Sequence, residues 1–136
     1  MKDYGAISIS PVLRYRNPHA AMAWLEDVLG FQRHLVVPGE SPDEVTHAEL
    51  RLGQVFVGLS SLRKEGLYSM PPSLEGPYMA LTDIDGLYER AKSLGADVAM
   101  EIHDTDYGSR DFALRDPEGR IWSFGTYTPS MEEAQT

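Results

Sequence analysis

The side chains with most chemistry to offer are four histidines, His19, His34, His47 and His103, and the carboxylates near them. His47 stands two residues before Glu49 in "THAELRLGQVFVGLS". On a strand, residues two apart share a face. A His-x-Glu pair on one face could ligate a divalent metal or serve as acid and base. The competing reading pairs Glu49 with Arg51 or Arg14 and leaves His47 at a rim. His19 falls in a first helical turn, His34 on a short strand, and His103 at a strand end beside Asp104 and Asp106. These three read as solvated or half-buried polar groups. The chain has no cysteine, which removes disulfides, thiolate metal sites and a cysteine nucleophile. No glycine loop of the phosphate-cradling kind is present.

The elements that must position these residues come in two similar runs. "AISISPVLRY" (Ala6–Tyr15) reads as a strand, with Pro11 marking an edge or bulge. Asn17 is a candidate helix N-cap with Pro18 at the first helical position. Ala21, Trp24, Leu25 and Val28 form an apolar face, and Gly30 supplies a left-handed stop. "FQRHLVVPG" is a second strand, and "THAELRLGQVFVGLS" is a hairpin turning at Gly53-Gln54. In the second run, Pro77–Asp83 is a strand and Asp83 an N-cap. Ile84, Leu87, Tyr88, Ala91 and Leu94 make a helical stripe ended by Gly95. "DVAMEIHD" is a strand, and "RDFALRDPEGRIWSFGTY" is a hairpin around a type I turn at Asp116-Pro117-Glu118-Gly119.

The two runs share one offset. Asn17 to Asp83 is 66 residues, Gly30 to Gly95 is 65, and Gly53 to Gly119 is 66. That predicts an α+β fold of two tandem βαβββ modules. Module one spans about residues 6–60, a linker arm about 61–76, module two about 77–128, and a fraying tail 129–136. The 136 residues, 42% hydrophobic and 24% charged, suit one compact domain or two small halves of one. The net charge of −9 repels phosphate backbones, so no nucleic-acid partner is expected. No run is long and apolar enough to span a membrane, and "MKDYGAISIS" lacks a secretory signal, so a cytoplasmic protein without a membrane partner is expected.

The segments "LRYRNPHAAMAWLEDVLGF", "LTDIDGLYERAKSLGA" and "YGSRDFALRDPEGRIWSFGTY" resemble the vicinal oxygen chelate superfamily. That superfamily includes glyoxalase I, extradiol dioxygenases, fosfomycin-resistance transferases and bleomycin-resistance proteins. The resemblance runs over about residues 6–128, with "LGF" and "DPEG" as its most specific marks. It implies that each sheet curls into a half-barrel, with helices on the outer face and a cavity on the other. It also implies four metal-ligand positions, on the first and last strands of each module. Carried over by motif, they fall on Ser10, Gly58, Gly76 and Ser123. Two glycines and two neutral hydroxyls are poor ligands for a divalent ion. The resemblance therefore points to the fold but away from the superfamily's metal chemistry.

Strand alternation gives the expected cavity lining. Ser10, Val12 and Arg14 come from the first strand, and His47, Glu49, Phe56 and Gly58 from the first hairpin. Tyr78 comes from the fifth strand, and Asp111, Ala113, Ile121 and Ser123 from the last two, with Tyr127 a further candidate and Trp122 and Phe124 packed under the helices. The resemblance implies that the loop carrying Tyr107 and Arg110 borders the mouth. Arg110 either meets an anionic ligand or pairs with Asp111 or Asp116. Small residues at central positions with a few aromatics suit a small organic molecule. The expected function is metal-independent binding of such a molecule, of the drug- or metabolite-sequestering type. The alternatives are a glyoxalase-, lyase- or isomerase-like enzyme with a displaced or absent metal site, and a non-catalytic interaction protein. No cofactor is expected, the exception being a divalent metal near His47 and Glu49. The resemblance also implies a homodimer, with the 61–76 arm available for exchange.

Overall fold

The computed structural model describes residues 2–132, so part of the expected tail, 133–136, lies outside the described residues. The chain divides into two compact units between Pro72 and Ser73. The first contains β1 (Val12–Tyr15), α1 (Pro18–Trp24), a π-helical segment (Leu25–Leu29), β2 (Gln32–Pro38), β3 (Val45–Leu52) and β4 (Val55–Ser61). The second contains β5 (Glu75–Ala80), α2 (Ile84–Ser93), β6 (Asp97–Asp104), β7 (Arg110–Arg115) and β8 (Ile121–Gly125). Each unit has one four-stranded sheet, ordered β1-β4-β3-β2 and β5-β8-β7-β6. In both, the first strand lies parallel to the last and the other pairs are antiparallel. This is the expected α+β, twice-βαβββ architecture.

Local chemistry explains the element ends. The Asn17 and Asp83 carboxamide and carboxylate oxygens accept from Ala20 N and Gly86 N at 3.1 and 3.0 Å, satisfying helix-start donors that have no intrahelical partner. The first helix departs from expectation after Trp24, where it widens into the π-helical turn. Phe31 N–H then donates to the Leu25 carbonyl at 3.0 Å, and Leu25, Val28, Leu29 and Phe31 are all buried. Trp24 is left half-buried rather than in the apolar face. In α2, Ile84, Tyr88 and Ala91 are buried, whereas Leu94 is exposed.

The first strand is shorter than its sequence suggests. It begins at Val12, and Ile7 and Ile9 are 96% and 99% exposed. The Pro11 carbonyl accepts the first rung, from Gly58 N at 2.9 Å. Proline has no N–H to donate in return, and residues 6–10 have no ladder partner. β5 starts earlier than expected, at Glu75, with a register shift between Glu75 and Tyr78. Gly76 sits in that irregularity, where a Cβ would run into the Ile121 carbonyl oxygen.

Each core lies between a sheet and its helix. Leu25, Leu50 and Leu59 fill the first, and Phe112, Leu114, Trp122 and Phe124 the second. Phe112 stacks on Phe124 with centroids 4.8 Å apart and meets Tyr88 at 5.0 Å. Among the described residues no helix is long and apolar enough to cross a membrane.

Candidate functional site

In the first unit α1 packs on β1, β3 and β4. Alternation turns Ala48, Leu50, Val57 and Leu59 into the core and gives His47, Glu49, Phe56 and Gly58 to the open face. That face holds a cleft of about 370 Å³, within the range of small-molecule pockets. Six residues expected there line it: Ser10, Val12, His47, Glu49, Phe56 and Gly58. Val57 also lines it, as does His34, which sequence reasoning placed among the solvated histidines. The β2–β3 register shifts between Arg33 and Leu35. His34 lies at that bulge, where counting by twos fails. Its ring meets Phe56 edge-on, centroids 5.2 Å apart.

His47 Nε2 lies 3.0 Å from Glu49 Oε2, with both side chains 37% exposed. Glu49 is thus engaged by His47 rather than by Arg51 or Arg14. A Cβ on Gly58 would stand 3.2 Å from Val12 Cγ2 and 3.5 Å from His47 Cε1. The glycine keeps the middle of the cleft open. Arg14 does not line the cleft; its guanidinium lies 4.3 Å from the centre of the Tyr68 ring. The linker arm supplies that ring, and the cation–π contact holds Arg14 against the arm.

In the second unit Ser123 is half-buried, in register with Tyr78 on β5 and Ala113 on β7. Tyr78 Oη donates to the Tyr127 carbonyl at 2.8 Å. Asp111 accepts from Ser109 Oγ at 2.5 Å and from Tyr107 Oη at 3.1 Å. The hydrogen bond to Asp111 raises the Tyr107 phenol above its ordinary value, chiefly because ionisation would destroy it. Burial, then the Asp111 charge, raises Tyr78. Ser109 is a buried hydroxyl that sequence reasoning missed. It donates to Asp111 and accepts from Tyr127 N at 3.2 Å.

Arg110 corrects the sequence expectation. It pairs with Asp85 on α2 at 3.1 Å and Asp104 on β6 at 3.0 Å, not with Asp111 or Asp116. Hydrogen bonds to Asp104 and then Asp85 raise its pKa further. Alternation along β7 sends Arg110 to the helix side and Asp111 to the open side. Asp116 instead accepts from Glu118 N and Arg120 N at 3.0 Å each and from Trp122 Nε1 at 3.2 Å.

The donor set does not fit the metal that the resemblance implies. Ser10 and Ser123 offer neutral hydroxyls, Gly58 offers no side chain, and Gly76 faces the β8 backbone, where a side chain would collide. Among the described residues no three His, Asp or Glu side chains converge as a ligand set. His47 and Glu49 are two donors without a third.

The model of the Glyoxalase/Bleomycin resistance protein/Dioxygenase superfamily matches residues 8–124. A Mycobacterium tuberculosis (strain H37Rv) protein of unassigned function is 34% identical over 138 residues, spanning 90% of this chain and 78% of the relative. TioX from Micromonospora sp. ML1 superposes with TM-score 0.72 at 26% identity, covering 93% of this chain and all of that one (100%). A glyoxalase-related enzyme from Clostridium phytofermentans gives 0.75 at 17%, over 92% and 98% of the two chains. Lactoylglutathione lyase from Agrobacterium tumefaciens gives 0.65 at 21%, over 91% and 95%. With the family model covering most of its length and the paired βαβββ units in place, this chain belongs to the glyoxalase/bleomycin resistance protein/dioxygenase superfamily.

Proposed function

We propose that the chain binds a small organic molecule without a metal, in the manner of drug or metabolite sequestration. The observation that carries this reading is the first unit's cleft of about 370 Å³, kept open by Gly58 and edged by Phe56, His34 and the His47–Glu49 pair. Such a cleft offers apolar and aromatic surface with few polar groups to orient a guest. A thermal-shift screen of organic compounds tests it, because a ligand that binds only the folded state raises the melting temperature. The expected result is a hit whose shift disappears in Gly58→Leu. Hits that stabilise Gly58→Leu equally would place binding elsewhere.

A second reading is a lyase- or isomerase-like enzyme using His47 and Glu49, favoured by their 3.0 Å contact. A pair so placed can pass a proton to and from a bound substrate. Calorimetric titration with Ni²⁺, Zn²⁺, Mn²⁺ and Fe²⁺ divides the metal-dependent form of this reading from the metal-free one. Heat that vanishes in both His47→Ala and Glu49→Gln would support a displaced metal site. We further propose that the protein works as a homodimer. Light scattering should give twice the 15.2 kDa chain mass, and a single-chain mass would refute it.

A further inference from the structure

The open face of the second sheet sets three phenol rings around one carboxylate. Tyr78 stands on β5, Asp111 on β7, Tyr107 in the turn before β7, and Tyr127 just past β8. The Tyr107 and Tyr127 rings meet at 86° with centroids 6.4 Å apart, like two walls of a box. Tyr78 is tethered by its hydroxyl to the Tyr127 carbonyl. Gly125 forms the base, since a Cβ there would run into both Asp111 Oδ1 and the Tyr78 hydroxyl. Its missing side chain lets the carboxylate and the phenol come together over β8.

None of these rings is spent in the core; Tyr78, Tyr107 and Tyr127 are 45%, 65% and 53% exposed. The neighbouring Arg110 is engaged elsewhere, with Asp85 and Asp104. Among the described residues Asp111 forms no ion pair, and its oxygens accept only from the Ser109 and Tyr107 hydroxyls.

A carboxylate without a basic partner, ringed by aromatic faces, is a cation site: the charge supplies attraction and the ring quadrupoles add to it. The net charge of −9 draws cations toward the protein at longer range. The kind of cation follows from the hydrogen bonding. Each Asp111 oxygen already accepts a hydroxyl, so a guest need bring no donor. A methylated ammonium, weakly hydrated and with its charge spread over methyl groups, suits such a box better than a strongly hydrated primary amine. We propose that Tyr78, Tyr107, Tyr127 and Asp111 form a binding site for the methylated ammonium group of a small organic ligand. The site uses different residues from the first unit's cleft.

The test is titration of the full chain with choline and with its uncharged carbon isostere, 3,3-dimethylbutan-1-ol, followed by calorimetry and by NMR of the tyrosine ring signals. Choline should bind and shift the ring signals of Tyr78, Tyr107 and Tyr127, with the isostere weaker by at least about tenfold. Asp111→Asn and Tyr107→Leu should each weaken choline by a similar factor. Tyr107→Phe, which keeps the ring and loses the hydroxyl, should weaken it less. Glu49→Gln should leave choline binding unchanged, which separates this site from the first unit's cleft. Melting curves check each variant, and Tyr127→Leu replaces Asp111→Asn if that variant fails to fold. Equal binding of choline and its isostere would overturn the proposal. So would the absence of any choline signal at tens of millimolar, or a loss of binding in Glu49→Gln.

Discussion

Replacing Asp116 by alanine should cost the second unit much of its stability. Asp116 is 5% exposed, and its carboxylate accepts from Glu118 N, Arg120 N and Trp122 Nε1. The turn it organises also carries the Gly119 N to Asp116 carbonyl bond at 2.9 Å. Hydrogen bonds to a charged acceptor contribute roughly 1.5–3 kcal/mol each, but three bonds sharing one carboxylate do not add fully. The expected loss for Asp116→Ala is therefore about 3–5 kcal/mol, a large share of an ordinary domain's stability. Asp116→Asn divides the effect. Its amide oxygen can keep the two backbone donors, while its NH₂ faces the Trp122 N–H, so about 1.5–3 kcal/mol should go. Urea denaturation followed by fluorescence in a Trp24→Phe background measures this, because Trp122 is then the only tryptophan. The turn sets the β7–β8 register that brings Asp111 opposite Gly125, so Asp116→Ala should also disturb the tyrosine box. A loss for Asp116→Ala below about 1 kcal/mol with an unchanged denaturant slope would refute the reasoning.

Three more outcomes can be checked directly. Spectrophotometric titration should show Tyr78 and Tyr107 ionising above the ordinary tyrosine value of 10.0. A folded-state pKa above the unfolded one means that their stabilising contribution is complete below about pH 10 and is lost as pH rises through the folded values; a destabilisation beginning well below pH 10 would contradict this. Gly76→Ala should destabilise by about 1–3 kcal/mol, since its Cβ meets β8 backbone that cannot swing away; chemical denaturation tests it, and a neutral result would mean that the bulge relaxes. Gly58→Glu should place a third donor beside His47 and Glu49 and give the chain a calorimetric response to Zn²⁺ or Ni²⁺; a silent titration of a folded variant would show that the three groups cannot converge.

Much of the fold was legible because its marks are local. Asn17, Asp83, Gly30 and Gly95 cap helices through their own backbone and side-chain chemistry, and the shared offset exposed the duplication. The open-face residues of β3 and β4 followed from alternation, which holds wherever the ladder is regular. Alternation gives no lead at His34, which lies where β2 gains a residue against β3. The first strand was overextended because Ile7 and Ile9 carry a strand pattern, yet no neighbouring strand meets them. Arg110 meets Asp85 and Asp104 because alternation along β7 turns it away from the face that Asp111 takes, and Asp116 is engaged by its own turn and by Trp122.

The sequence by itself determined the superfamily and the paired modules, since these depend on residue types and spacings along the chain. Only the tertiary structure decided which groups meet. It tied Tyr78 to the Tyr127 carbonyl, paired Arg110 with Asp85, set His34 against Phe56, and left Gly125 bare beneath Asp111 and Tyr78. Those contacts depend on strand register and on bulges, which are fixed by packing across the sheet and not by any one segment.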